Sequence, residues 1–150
     1  MKKLLLVLTL TLSLWAGNVY VKVVDKPIDS VYPTLISALD NNYLIVISEI
    51  DILAKFKHAG LPKMFGKAFN TNNLTAIKTI IACNGKFGNN IANADPSMMA
   101  FCPIRITLTE KEGKTTITYV KPTVAPTTTK AYPYLQRLEN KVISTINTPY

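Results

Sequence analysis

The 150-residue chain is 48% hydrophobic and carries 17 Lys and Arg against 9 Asp and Glu, a formal charge of +8. Excess positive charge draws a protein towards anionic partners, but the lysines are scattered. No basic run interleaves with aromatics as a nucleic-acid groove requires, so nucleic-acid binding is not expected. A loose attraction to anionic lipid headgroups stays open.

The chain opens on Met1, Lys2 and Lys3, continues as an apolar stretch from Leu4 to Trp15, and exits through small Ala16 and Gly17. A charged start, a short apolar run and a small-residue exit make a secretory signal peptide. The run is shorter than the roughly 20 apolar residues that span a bilayer. Cleavage is expected after Ala16, and no Cys at that junction points to a lipid anchor. The working protein is then a periplasmic or secreted domain. Loss of Lys2 and Lys3 leaves 15 basic against 9 acidic residues, a charge of +6. Nothing later is long and apolar enough for a transmembrane segment. About 134 residues suffice for one domain that buries about two-thirds of its unfolded surface.

Val19, Val21 and Val23 alternate with Tyr20, Lys22 and Val24, which predicts a first strand. After Pro27, Asp29 or Ser30 can cap a helix that carries Pro33 in its first turn. Val31, Leu35, Ala38 and Leu39 give that helix one apolar face, and Asp40 to Asn42 end it. The continuous apolar run from Tyr43 to Ile50 predicts a buried strand. A short helix, Leu53 to His58, stops at Gly60 and Pro62. Residues 63–75 read as an irregular excursion, and Ala76 to Cys83 as another strand. The connection Asn84 to Phe101 is expected to hold one or two helical turns. Pro103–Glu110 and Lys114–Lys121 form a hairpin around Lys111, Glu112 and Gly113. Residues 123–131 are a Pro/Thr-rich linker. Tyr134, Leu135, Leu138, Val142 and Ile146 then line a C-terminal helix over 132–147. The irregular alternation of strands and helices predicts an α+β domain over 17–122, with helices on one face of an antiparallel sheet.

Cys83 ends one predicted strand and Cys102 precedes the next. If the strands pair, the thiols come together, and an oxidising compartment favours a disulfide. That bridge would close a loop of about 20 residues, worth about 3 kcal/mol in the chain-entropy treatment. A metal pair and a redox dithiol are the alternatives, though the Cys-x-x-Cys spacing of a redox pair is absent.

His58, the single histidine, falls at a helix end, where a surface role stabilised by the helix dipole is the plainer reading. With Met64, Met98 and Met99 it forms a thin set of soft ligands suited to copper or haem, although Met is also ordinary core filler. No bound cofactor is expected. Glu49 and Asp51 share one face of their strand and would suit acid–base chemistry if their environments split their pKa values; closing a strand end in water, or capping the helix that follows, is the plainer reading. Asp95 before Pro96 fits a cap or turn. No Ser-His-Asp set, phosphate-binding Gly loop or zinc spacing is present.

Taken in order, Glu49-Ile50-Asp51, the Ala54 to Gly60-Leu61 helix end, Asn84-Gly85-Lys86-Phe87-Gly88, Ala94-Asp95-Pro96 and Pro103-Ile104-Arg105-Ile106 resemble the domain of unknown function 302 family. The resemblance covers residues 28 to 122. It implies a curved antiparallel sheet with helices on one face, similar to TATA-binding-protein-like folds, and members that are often homodimers. It implies no reaction, so no catalytic residue carries over. The family often has a His directly after its Ile-Asp, where Ile52 stands here. The two Cys, the segment from Lys63 to Thr75 and the C-terminal helix look like additions suited to an exported version.

The resulting expectation is a homodimeric periplasmic binding or accessory module rather than an enzyme, with a small or lipid-like ligand or another periplasmic protein as its further partners. Its contact surface would unite the loop carrying Phe87, Ile91, Asp95, Met98 and Met99 with the Glu49–Asp51 strand end, although dimer or core packing is the plainer reading of Phe87, Ile91, Met98 and Met99. A soft-metal or haem-handling protein using His58 and Met64, and an undescribed enzyme using Glu49, Asp51 and Asp95, are the rival expectations.

Overall fold

A computed structural model describes residues 17–150, so the expected signal at 1–16 lies outside the described residues. Five strands, β1 (Val19–Val24), β2 (Ile45–Asp51), β3 (Ala76–Cys83), β4 (Ile104–Lys111) and β5 (Lys114–Val120), form one sheet. Their order is β1-β5-β4-β3-β2, every neighbouring pair is antiparallel, and the sheet is open. The helices are α1 (Ile28–Asn41), α2 (Ile52–His58), α3 (Leu61–Phe65), α4 (Gly85–Ala94) and α5 (Tyr132–Ile146). The α+β architecture expected from the sequence is the one observed.

Strand alternation sorts the side chains by face. Ile80 and Ala82 of β3, Ile106 and Leu108 of β4, and Ile117 and Tyr119 of β5 point into one buried cluster. Leu35 and Leu39 of α1, Ile91 of α4, and Leu135, Leu138 and Val142 of α5 fill the same cluster. The apolar spacings read on α1 and α5 therefore mark their true inner faces. On the opposite sheet face, Thr79, Thr107 and Thr118 sit side by side across three strands. Thr79 and Thr107 share a hydroxyl hydrogen bond of 3.1 Å, and the Thr118 hydroxyl donates to the Thr107 carbonyl. β-Branched hydroxyl residues fit such a pleated, half-wet surface.

Several local expectations are corrected. The apolar run from Tyr43 is not a buried strand. Tyr43 takes a left-handed φ of 58° and β2 starts two residues later, at the sheet's edge. Ile45 and Ile47 are left 62% and 60% exposed. Apolarity alone cannot separate a central strand from an edge strand, because the number of partners is a property of the whole sheet. Neither Asp29 nor Ser30 caps α1; Pro27 holds that position without a side-chain bond, and Pro33 lies well inside the helix. The 84–101 connection is more ordered than expected. It contains the ten-residue α4, capped by the Asn84 side chain on the Phe87 N–H, and a 3-10 stretch over Pro96–Phe101. The 123–131 segment is pinned to the domain, since Ala125 and Ala131 belong to the core.

Candidate functional site

The two cysteines meet beneath the first turn of α4. Cys83 is the last residue of β3 and Cys102 follows the 3-10 stretch. Their Sγ atoms lie 3.2 Å apart as thiols sharing a hydrogen bond. Gly88 passes directly over them, and a Cβ there would stand 3.4 Å from Cys102 Sγ and 3.7 Å from Cys83 Sγ. Burial, together with the hydrogen bond and charge of Cys83, pushes the Cys102 thiol up to about 12. The nucleophile in thiol chemistry is the thiolate, so a thiol held that high is a poor one.

The other expected site residues separate. Glu49 accepts a 2.6 Å hydrogen bond from the Tyr32 hydroxyl of α1. Burial, then the bond to Glu49 and its charge, raises the Tyr32 hydroxyl pKa. Asp51 caps α2 by accepting from the Ala54 N–H at 2.8 Å. The two carboxylates are therefore spent on packing and capping. Asp95 accepts from the Ser97 N–H, the Ser97 hydroxyl and the Thr129 hydroxyl, and these bonds hold its carboxyl below the usual range. It ties the end of α4 to the strap before α5. Ile91 is fully buried, Met98 packs against the core, and Met99 is partly exposed. His58 and Met64 lie on the α2–α3 excursion. Among the described residues, no three His, Cys, Asp or Glu side chains converge as metal ligands do.

Of the expected contact residues, Phe87 lines an open hollow, and Tyr43, Ile45 and Lys141 join it there from outside the Asn84–Phe101 connection. Tyr43 just before β2, Ile45 at its start and Phe87 on α4 supply apolar walls. Lys86 and Lys141 also line it, and the Asn84 amide, which donates to the Tyr43 carbonyl, holds the two sides together. The hollow measures about 490 Å³. Six positions of β2 separate it from Asp51, roughly 20 Å at strand rise, so the expected union of Phe87 with the Glu49–Asp51 end does not form. A second hollow of about 360 Å³ lies where Phe101, Pro103 and Pro122 border Ile81, Arg105 and Val120 at one end of the sheet. Nothing in the local sequence marks Lys141, because its neighbours in the hollow come from a remote strand and helix.

Comparison with known proteins decides the family. The family described as "Domain of unknown function DUF302" matches residues 20–148. The chain belongs to the DUF302 family. The match runs past residue 122 and takes in α5, so the C-terminal helix is part of the DUF302 domain and not an addition to it. The fold of a solved structure, "uncharacterized conserved protein DUF302 from Bacillus stearothermophilus", agrees with a TM-score of 0.73. The two share 17% identity over 88% of this chain and 98% of that one, a likeness of fold alone. No curated protein matches the chain.

Proposed function

We propose that this DUF302 domain is an exported binding module whose ligand is a small amphiphile with an anionic head. The observation that carries this reading is the hollow between β2 and α4. Apolar Tyr43, Ile45 and Phe87 suit a hydrocarbon body, and the ammonium groups of Lys86 and Lys141 make no ion pair among the described residues. Pockets with apolar walls and a few convergent polar groups are the usual form of small-molecule sites. Binding is preferred to catalysis because Glu49, Asp51 and Asp95 already have structural partners.

Titration calorimetry with laurate, against dodecanol as the uncharged control, tests this. Laurate should bind, dodecanol should bind more weakly, and Lys86→Glu with Lys141→Glu should abolish the difference. Absence of laurate binding, or binding indifferent to both lysine changes, sinks the reading.

A second reading concerns self-association, and it rests on the exposed Ile45 and Ile47 of an edge strand whose outer side pairs with no strand among the described residues. Antiparallel pairing of β2 with β2 of a second copy would extend the sheet across a two-fold axis. It would also lay the acidic Glu49–Asp51 end over the Lys86 end. Sedimentation velocity should show a dimer that Ile47→Lys converts to a monomer; a monomer throughout removes this reading.

Export completes the proposal and gives the cysteines their role. The Sγ separation of 3.2 Å needs to shrink to about 2.05 Å for a bond, and an oxidising compartment drives that closure. Protein recovered from the periplasm should weigh two hydrogens less than its reduced form. Recovery of the intact leader on a cytoplasmic, fully reduced protein would reject it.

A further inference from the structure

The excursion between β2 and β3 differs in chemistry from the rest of the surface. Residues 52–69 contain Lys55, Lys57, Lys63 and Lys67 and no Asp or Glu. None of the four ammonium groups makes an ion pair or hydrogen bond among the described residues. These four fall within a short stretch of the chain and are carried on α2, α3 and the 3-10 turn Gly66–Ala68 that follows.

The same excursion displays large apolar side chains outward. Met64 is 71%, Phe65 53% and Phe56 41% exposed. The segment is nevertheless anchored: Leu53 is buried, and Leu61 and Phe69, with the partly exposed Phe56 and Phe65 beside them, line a shallow hollow with Ile77 of β3. Isolated exposed apolar residues need no explanation, but a cluster rimmed by like charge marks an interaction surface. Unpaired lysines disfavour a basic or uncharged partner. The most exposed member, Met64, is a flexible thioether chain suited to acyl chains, and among the exposed apolar residues of the excursion only Phe65 and Phe56 offer rings on which a nucleobase could stack.

We infer that the α2–α3 excursion docks onto an anionic lipid surface. Met64 and Phe65 enter the boundary between headgroups and acyl chains, as the apolar faces of interfacial elements do. The lysines reach outward along their methylene stems and hold their ammonium groups at the anionic headgroups. This surface shares no residue with the hollow between β2 and α4, so it stands or falls independently of the ligand proposed there.

The test is co-sedimentation of a chain starting at Gly17, which contains every described element and the whole core, with phosphatidylcholine vesicles with or without phosphatidylglycerol. Binding should require phosphatidylglycerol and weaken as salt rises. Removing Lys63 and Lys67 together as Gln should weaken partitioning by roughly 25-fold, about fivefold for each charge near the surface. Met64→Ser with Phe65→Ser should reduce binding at least tenfold while circular dichroism stays unchanged. Because Trp15 lies in the removed segment, Phe65→Trp adds a single reporter whose emission should shift to the blue on the vesicles. No binding to the anionic vesicles overturns the inference. So does binding that the apolar changes leave intact, an unshifted emission from the Phe65→Trp reporter, or equal binding to duplex DNA lost with the same lysine changes.

Discussion

The Glu110 carboxylate, near the end of β4, accepts a 2.6 Å hydrogen bond from the Ile28 N–H that opens α1, 82 positions away in the chain. Its other oxygen accepts from the Thr75 hydroxyl at 2.6 Å. Pro27 brings no capping side chain to that helix, so a remote strand supplies the carboxylate that the free N–H groups of a first turn attract. Removing it as Glu110→Ala should cost about 1–2 kcal/mol, measured as a lower urea midpoint at unchanged slope.

The same contact sets an acid sensitivity. Hydrogen bonds from Thr75 and Ile28 hold the Glu110 carboxyl below its ordinary 4.5. A folded-state pKa below the unfolded value means the unfolded chain binds more protons, so this stability is present above 4.5 and is lost as the pH falls through the folded value. Asp95, lowered by Ser97 and Thr129, acts in the same direction. Thermal melts between pH 7 and 3 should show Tm falling below about pH 4.5, and Glu110→Gln should flatten that fall. A Gln variant as acid-sensitive as the parent would refute the assignment.

Lys22 of β1 performs the matching task at the far end of α5. Its ammonium donates to the Ile146 carbonyl at 3.0 Å and the Thr148 carbonyl at 3.2 Å, and lies 4.5 Å from the Tyr150 ring centre. Cations at helix C-termini satisfy carbonyls that lack intrahelical partners. Lys22→Met keeps the apolar stem and removes only the donors, so it should destabilise by about 1–2 kcal/mol. Hydrogen exchange should accelerate selectively in the last turn of α5.

Tyr119 predicts the opposite sign. Its hydroxyl is buried and has no hydrogen-bond partner among the described residues. Burial first, then the charges of Glu139 and Cys102, raise its pKa. Since an unsatisfied buried donor costs free energy that a shape-matched apolar group avoids, Tyr119→Phe should leave stability unchanged or raise it by up to about 1 kcal/mol. A clear loss would mean that the hydroxyl has an ordered partner.

Gly88 reports on the thiol pair beneath it. In reduced protein, Cys102 should resist iodoacetamide at pH 8 because its thiol is buried and held at about 12. Mild urea should expose it. Gly88→Val drives methyl groups against both sulfur atoms and should cost about 1–3 kcal/mol. It should also speed the labelling of Cys102.

Much of the fold is legible locally because its signals are local. Val31, Leu35 and Leu39 recur at helical spacing, and all three are buried on α1. Glu112 and Gly113 both adopt positive φ at the two-residue turn between β4 and β5, the conformation that such hairpins require. The Asn84 cap is likewise a short-range event, although the full length of α4 beyond it is not apparent from an Asn- and Gly-rich stretch. The candidate site is far less legible. Lys86 and Phe87 are neighbours in sequence, but Tyr43, Ile45 and Lys141 reach them from the entry to β2, β2 itself and α5.

By itself the sequence determines the α+β class, the positions of most strands and helices, the family, and a leader-like start, because each follows from periodicity, turn chemistry or an ordered series of short motifs. Tertiary structure alone decides that β2 is an edge, that Glu110 caps α1, and that Glu49 meets the Tyr32 hydroxyl. Those outcomes depend on which strands pair and which side chains meet across long separations, and no local window of the chain carries that information.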